Sequence, residues 1–584
     1  MSKKSLLVNA ILLIGMAATA ASVPVTVTTQ VSRSKGEICE LSQDMLIGGG
    51  EDYTDKDRKL VQTLCSYDAH SDPASDVSGT QKAVAICPKL NSTFPGLEFI
   101  KIPNGETRAD VEAKCNRKAG AKNKGKKLAK FKFSVTCANS SSIVGYYHVS
   151  RALGIKYVPP AVVRTVDYEF HKSVAKKAKG FVGSDSQAIS KIWRRLSDSQ
   201  LPAKPSAFVD GDFTYGVLSV NPRGEQKTYD GIWLGGANQP ARLKNFMTSA
   251  RSTYQNLKIR KPITSIVSTD LTSANYTKLQ QMKDVSDMII LDTIFGQKDR
   301  FANTHSVYTW LVTNGDGTVE KLSLKSVEKM MEADAATDVT GAAKSLLDRF
   351  EKAKDMPKDW QKEIRSRLTK LRGIVEPYLS SKGYEHAFGE NLMLKDNDCG
   401  LKDSNPFKKA SVINGVYHVS PETFDQLMKL DEAVASGSMD DFLSDNLLMN
   451  SADMAKFKSG LSYVADNLRD KDAAGTLYKD LVVKSHFVPK PRPKTTDGFP
   501  IYDIIESKWN VRRTTLAGGV SPKTLDDTEV IVIGGNKVNS GMIDQVAVLK
   551  FLKVGKYNFV EARVIKSDVL AEGTVVYFSQ SAVR

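Results

Sequence analysis

Zinc-binding motifs are missing from this chain. Its six cysteines include no Cys-x-x-Cys pair, and its seven histidines never fall at ligand spacing with a partner. Structural zinc sites need such spacing because four side chains must converge on one ion. We therefore expect no zinc site.

The commonest hydrolase signatures are missing as well, since neither Gly-x-Ser-x-Gly nor His-Glu-x-x-His occurs. A near match to a nucleotide-binding P-loop runs from Gly120 to Lys126. Lys127 replaces the Ser or Thr that would bind Mg²⁺, however, and the pattern predicts that a strand rather than a helix comes next. A serine hydrolase of that type, a zinc protease and a P-loop enzyme are not expected.

No apolar run is long enough to span a membrane. The longest, Leu6 to Ala18, falls short of the roughly 20 residues that a spanning helix needs. It follows Met1-Ser-Lys-Lys and precedes small residues, which is the layout of a signal peptide over residues 1–21. We expect an exported chain, secreted or periplasmic, with no membrane span after signal cleavage.

Cysteine clustering agrees with export, because exported chains commonly use disulfides. Five cysteines lie in the first quarter of the chain, so one of them is either free or paired with Cys399. The five are Cys39, Cys65, Cys87, Cys115 and Cys137.

The net charge of +16 remains about +14 once Lys3 and Lys4 are removed with the signal peptide. Such a chain is attracted to phosphates, nucleic acids or anionic envelope surfaces. The lysine-rich stretch 122–132 interleaves only one aromatic side chain, Phe131, so nucleic-acid binding is not expected.

Residues 22–115 form a polar, cysteine-containing N-terminal extension that we expect to pack on the domain after it. Residues 116–220 then predict a small lobe of a strand, a helix and a second extended run. The strand spans 126–135, the helix runs from Ser140 to Leu153 with serines as N-caps, and the extended run covers 157–170.

Residues 221–485 predict a helical large lobe. A helix over 285–295 leads into the polar loop 296–305, and strand character resumes over 306–312. A helical insertion is predicted over 322–389, because Trp360, Ile364, Leu368, Leu371 and Val375 recur at helical spacing.

The chain closes with a proline-rich linker, 486–496, and a small β domain, 497–584. Short apolar runs broken by Gly and Asn predict a small barrel there, for which an SH3-like barrel is one candidate.

Two polar loops carry the residues best suited to phosphate transfer. Asp299 follows the predicted helix and Asn303 lies just behind it; an Asp can accept the proton of a hydroxyl acceptor while a nearby amide holds a metal. Asp398 begins an Asp-x-Gly turn after a short strand, as in sites that hold Mg²⁺ against a nucleotide. The alternative is that both acids are only turn residues.

Three sequence stretches together resemble the atypical kinase group that includes HipA, the spore-coat kinase CotH, the secretory-pathway casein kinases and, more remotely, phosphatidylinositol kinases. They are Ala129-Lys-Phe-Lys132-Phe, the run from Tyr147 through Leu153-Gly to Val158-Pro-Pro160, and Gly296-Gln-Lys-Asp-Arg300. The resemblance implies an α+β fold: a two-lobed protein-kinase-like core with a helical insertion, plus the small β domain.

The resemblance also implies a site for ATP with Mg²⁺ or Mn²⁺. By position, Lys132 would contact the phosphates, with Lys130 as the alternative if the strand register slips. Asp299 would be the catalytic base, and Asn303 and Asp398 would bind metal. Gly120 and Gly125 would bound a loop over the ATP phosphates, or else a basic surface turn.

At two positions this chain departs from the pattern of that kinase group. The group has a Glu at the start of the helix after the lysine strand, which pairs with the lysine, whereas this chain has Ile143 there. Asn303 lies four residues after Asp299, where the group usually has five, and Thr304 takes the fifth position.

The expected function is that of an exported, ATP- and metal-dependent phosphotransferase acting on hydroxyl groups of proteins or small molecules. One alternative is a catalytically inactive kinase fold that binds a partner at the cell envelope. The other is a nucleotidyl (adenylyl) transferase that uses the same site.

Overall fold

The computed structural model describes most of the chain from residue 27 onward. The described ranges are 27–30, 36–71, 81–90, 94–115, 125–135, 137–198, 209–210, 212–222, 225–226, 229–232, 235–302, 304–313, 318–333 and 360–487, together with the β-strands of the C-terminal part after residue 500. The predicted signal peptide 1–21, Gly120, Asn303 and most of the predicted linker lie outside them.

The N-terminal part forms one large, mostly antiparallel sheet with helices packed on it, in which only β3 and β4 pair in parallel among the described strands. Its strands are β1 (Val27–Gln30), β2 (Ile38–Leu41), β3 (Tyr67–Asp68), β4 (Lys82–Pro88), β5 (Leu97–Lys101), β6 (Lys127–Lys132), β7 (Ala161–Asp167), β8 (Val209–Asp210) and β9 (Phe213–Val220), and its helices are α1 (Asp55–Cys65), α2 (Arg108–Ala113), α3 (Ser140–Ala152), α4 (Tyr168–Val182) and α5 (Ala188–Ser197).

The strand order is β1-β2-β7-β9-β6-β5-β4-β3, with β8 paired to β9. Strands from the expected N-terminal extension therefore share a sheet with β6, β7 and β9 instead of packing outside it. Phe131 points from β6 into a core that includes Phe99 and Trp193. Because side chains alternate along a strand, Lys130 and Lys132 lie on the opposite face.

The predicted strand 126–135 and the helix after it are both present. The N-cap of α3 is Asn139 rather than one of the serines, and its side chain accepts a hydrogen bond from the Ser142 amide. The extended run 157–170 ends earlier than predicted. Asp167 caps α4 by accepting from the Phe170 amide at 2.7 Å, which turns the chain into a helix.

The middle part is mainly helical and is crossed by a three-stranded sheet in the order β11-β10-β12. Its elements are α6 (Gln239–Thr248), α7 (Tyr254–Leu257), α8 (Ser273–Phe295), β10 (His305–Thr313), β11 (Val319–Ser323), α9 (Leu324–Ala333), α10 (Trp360–Ser381), β12 (Glu385–Met393), α11 (Pro406–Lys409), α12 (Pro421–Ala435), α13 (Ser451–Ala473) and α14 (Val483–His486).

The helical prediction for 322–389 is only partly right. Helices α9 and α10 fall within that range, but residues 385–389 belong to β12. Residues 387–392 are buried on both faces, so no alternation of polar and apolar side chains marks the strand.

Every described element of the C-terminal part is a β-strand, in agreement with the predicted β domain. Its strands are β13 (Ile501–Asp503), β14 (Val511–Arg512), β15 (Thr524–Leu525), β16 (Glu529–Val532), β17 (Lys537–Asn539), β18 (Ile543–Val554), β19 (Tyr557–Ser567) and β20 (Val575–Ser579). Six of them form the sheet β13-β18-β19-β20-β16-β17. The SH3-like barrel stays a prediction.

The six cysteines form three disulfides, which are Cys39–Cys65, Cys87–Cys115 and Cys137–Cys399. The odd cysteine of the N-terminal cluster, Cys137, is thus paired with Cys399. Within the described ranges, no helix combines the length and hydropathy required to cross a membrane.

Candidate active site

Two lysines of β6 face a cleft that also contains Ile143, Asp396 and Asn397. The Lys132 amine is buried and lies 2.9 Å from Asp396 Oδ1 and 2.9 Å from Asp398 Oδ2. Lys130 Nζ is 3.9 Å from Asp396 Oδ1. Burial alone would lower the pKa of Lys132, but the two carboxylates outweigh it and raise that pKa above its usual value. Lys132 is therefore a fixed cation.

The acidic turn after β12 is fastened to the start of α3. The Asn139 amide donates to the Asp398 carbonyl at 2.8 Å, and the Ser142 hydroxyl donates to the Asn397 carbonyl at 2.6 Å. The Cys137–Cys399 disulfide adds a covalent link at the same place. Sheet, helix and acidic turn are thereby locked together around the Lys132 amine.

Arg300 fastens the same turn to α8. Its guanidinium bonds both oxygens of the buried Asp292 carboxylate, at 2.8 and 2.9 Å. The remaining donors reach the Lys395 carbonyl at 2.8 Å and Asn397 Oδ1 at 2.7 Å. The loop that carries Asp299 and the turn that carries Asp398 are therefore held in a fixed relation.

Asp299 follows the end of α8, where Gly296 adopts the left-handed conformation that the turn requires. Its Oδ1 accepts a hydrogen bond from Gln239 Nε2 at 3.1 Å. Partial burial raises the pKa of Asp299, and the negative charges of Asp398 and Asp396 raise it further. A carboxylate with a raised pKa is a better proton acceptor.

A buried chain of charges lies behind Asp396. His305 Nε2 is 3.3 Å from Asp396 Oδ2, and His305 Nδ1 is 2.6 Å from Glu225 Oε1, although the ring is not aligned for a hydrogen bond with either carboxylate. Glu225 Oε2 also pairs with Lys395 Nζ at 2.6 Å. Sequence reasoning missed these residues together with Asp396. The only local signal was the second carboxylate in Lys395-Asp-Asn-Asp398.

A third lysine, also missed, approaches the cleft from the end of β4. Lys89 is buried, and burial together with the positive charges of Lys132 and Lys130 lowers its pKa to about 7. Opposite it, Gly96 directly precedes β5, and a Cβ there would lie 2.7 Å from the Phe131 carbonyl oxygen and 3.8 Å from the Lys132 side chain. Gly96 therefore approaches Lys132 closely.

Gly125 lies away from Lys132 in the sheet. In the antiparallel pair β5–β6, Leu97 lies opposite Phe131 and Ile100 opposite Lys127. Gly125 packs against Lys101, and it is thus at the far end of β6 from Lys132. The glycine- and lysine-containing stretch 120–126 lies between β5 and β6 in the sequence, not between β4 and β5. Gly120 lies outside the described residues.

Oxygen donors for a metal ion lie in the acidic turn and in the loop after α8. Among residues with assigned positions, no group of three or more His, Cys, Asp or Glu side chains is arranged to hold a metal ion. Asp398, Asp396 and Asp299 nevertheless supply hard oxygen donors of the type that Mg²⁺ and Mn²⁺ prefer. Asn303 is not described. Thr304, in the fifth position after Asp299, is buried, and its hydroxyl finds no hydrogen-bond partner among the described atoms.

No protein-family model matches the sequence, and no curated protein is significantly similar to it. Among solved structures, the Golgi casein kinase superposes with a TM-score of 0.32 and 11% identity, covering 68% of this chain and 76% of the kinase. The same kinase with Mn and ADP bound gives a TM-score of 0.31 and 12% identity, covering 68% and 75%. Superpositions this loose do not define a family for the chain.

Proposed function

We propose that this chain is an exported, kinase-like phosphotransferase that uses ATP with Mg²⁺ or Mn²⁺. The observation that carries the proposal is the position of Lys132, whose amine lies 2.9 Å from both Asp396 and Asp398. Asp299, the candidate proton acceptor, interacts electrostatically with the same two acids. Phosphoryl transfer needs these three functions in one place: a cation for phosphate, carboxylates for a metal and a base for the acceptor.

The donors present fit a metal-bound polyphosphate. Lys132, Lys130 and Lys89 supply positive charge, and Asp398 supplies the carboxylate best placed by sequence for a divalent ion. When bound, such an ion neutralises charge on the phosphates. Lys132 orients the phosphate oxygens through its amine, and the surrounding hydrogen bonds keep its position fixed.

Asp299 is the proposed general base. It would accept the proton of a substrate hydroxyl as the oxygen attacks the terminal phosphorus of ATP and the bond to the bridging oxygen of ADP breaks. Its raised pKa favours the proton transfer. Lys298 cannot replace it, and no other acid lies between Gly296 and His305.

The disulfides support the exported location, since such bonds persist in oxidising compartments. The acceptors we propose are hydroxyl groups of proteins or small molecules, and the basic mature chain would also be drawn to an anionic envelope surface. The two-lobed kinase-like architecture is part of the proposal: the sheet that carries Lys132 would be the small lobe, and the part around α8 the large lobe.

Position-specific labelling of ATP tests the reaction. The purified mature chain is incubated with Mg²⁺ or Mn²⁺ and ATP labelled at either the γ or the α phosphate, and label on protein or added hydroxyl acceptors is counted. Transfer of the γ label alone is expected. Transfer of the α label would show nucleotidyl transfer and overturn the proposal, as would no transfer with either metal.

A further inference from the structure

We propose that Asp396 is the acid that positions Lys132 for phosphate binding, and that His305 keeps Asp396 in place. This inference rests on the proposed function and assigns one further part of its site. Asp396 acts through Lys132, so it is a positioning residue, while the phosphate contact belongs to Lys132 itself.

The helix beside the lysine strand offers no acid for this task. Helix α3 has the sequence SSSIVGYYHVSRA, which contains neither Asp nor Glu. Its residue Ile143, an apolar side chain, lines the cleft together with the two lysines. The partner of Lys132 must therefore come from elsewhere in the fold.

Asp396 meets that requirement. Its backbone is left-handed, with φ of 55°, which is uncommon outside glycine and indicates a position fixed by its surroundings. Oδ1 faces Lys132 at 2.9 Å while Oδ2 faces His305 at 3.3 Å. Each carboxylate oxygen of Asp396 therefore faces a nitrogen, one from a lysine amine and the other from an imidazole ring.

The support behind Asp396 comes from two directions. His305 begins β10, and its other nitrogen is 2.6 Å from Glu225. Glu225 in turn pairs with Lys395, the residue directly before Asp396. Moving Asp396 would take a carboxylate away from the Lys132 and Lys130 amines and from the His305 ring, which is unfavourable in a buried site.

Because Lys132 is paired with two acids, one acid can bind a metal while the other holds the amine in position. Asp398 can turn toward a divalent cation without leaving Lys132 unpaired, because Asp396 keeps the amine in place. The position of the amine affects the reaction rate, because an error of about 1 Å in a reacting group can reduce a rate by about 100-fold.

The test compares D396N with the double variant I143E/D396N, which returns an acid to α3 next to Lys132. Mn²⁺ binding is followed by electron paramagnetic resonance, ATP affinity by calorimetry, and transfer by kcat and KM. D396N should retain Mn²⁺ binding and lose about 10- to 100-fold in kcat/KM, mostly in kcat. The double variant should recover at least part of that loss.

Other results would overturn the inference. Loss of Mn²⁺ binding in D396N would make Asp396 a metal ligand, and unchanged kinetics would make it irrelevant to positioning. If D396N does not fold, H305Q carries the test, with the same kcat loss and retained Mn²⁺ binding expected and wild-type kinetics contradicting. Failure of the wild type to bind ATP with either metal would instead remove the proposed function and this inference with it.

Discussion

The Lys132 amine and the Asp398 carboxylate meet at 2.9 Å, although the two residues are far apart in the sequence. One lies on the sheet, and the other lies in a turn that is fastened to α3 by a disulfide and two hydrogen bonds. Changes at this meeting point should therefore affect metal binding, phosphate transfer and stability in separable ways.

Replacing Asp299 with Ala should abolish transfer and leave ATP binding largely intact. The carboxylate is the proposed proton acceptor, and loss of a general base reduces rates by about 10²- to 10⁴-fold. Transfer of γ label and calorimetry on the same samples measure the two effects. Asp403→Asn is a matched control, because Asp403 is fully exposed. Equal losses in both variants would contradict the assignment.

Replacing Asp398 with Asn should weaken metal and ATP binding together. A carboxylate on the metal acts in the ground state as well as in the transition state, so both affinity and rate depend on it. Mn²⁺ titration followed by resonance and by calorimetry gives the two affinities. A variant that binds Mn²⁺ and ATP as the wild type does would remove Asp398 from the metal site.

Replacing both Cys137 and Cys399 with Ser should destabilise the chain by about 2 to 4 kcal/mol. ATP affinity should also fall, because the disulfide fastens the acidic turn beside Asp398. Denaturant unfolding and calorimetry measure these effects. The matched control removes Cys87–Cys115, which lies in a separate apolar cluster. That variant should lose stability but keep its affinity, and a similar affinity loss in both would refute the local role.

Replacing Lys89 with Met should stabilise the chain most at low pH. The folded-state pKa of Lys89 is about 7, below its ordinary value of 10.5, so the unfolded chain binds more protons between these values. The free energy of unfolding then rises with pH across that window, and the buried charge is most unfavourable below about pH 7. The gain from the substitution should therefore be largest near pH 6 and shrink toward pH 10.

Urea unfolding of both chains at several pH values measures this gain. Lys82→Met serves as the control because Lys82 is an exposed lysine on the same strand. A gain that grows with pH, or that matches the control, would contradict the burial of a charged Lys89.

Local signals explain which elements could be predicted. Strand β6, helices α3 and α8 and the long C-terminal strands are marked by periodicity, caps and turn residues within a few positions. Only the end of β12 was predicted, as the short strand before Asp398, because the buried faces of the rest leave no alternation. The end of β7 was misplaced because Asp167 starts a helix directly after the strand.

The site could be predicted only where a motif is continuous in sequence. Lys132, Asp299 and Asp398 each lie in a recognisable local pattern. Lys132 and Asp398 are 2.9 Å apart, and the charge of Asp398 contributes to the raised pKa of Asp299. Lys89 and His305 have no such pattern, since their relation to Lys132 depends on strand pairing over long distances. The position of Gly125 relative to Lys132 could not be predicted for the same reason, because its end of β6 is set by the register with β5.

Calorimetric titration of the purified mature chain with ATP in the presence of Mg²⁺ or Mn²⁺ tests the central claim most directly. The account predicts saturable, metal-dependent binding that Lys132→Met reduces strongly, because the Lys132 amine is the proposed phosphate contact. Absence of binding by the wild type with both metals, in protein shown to be folded, would contradict the phosphotransferase function.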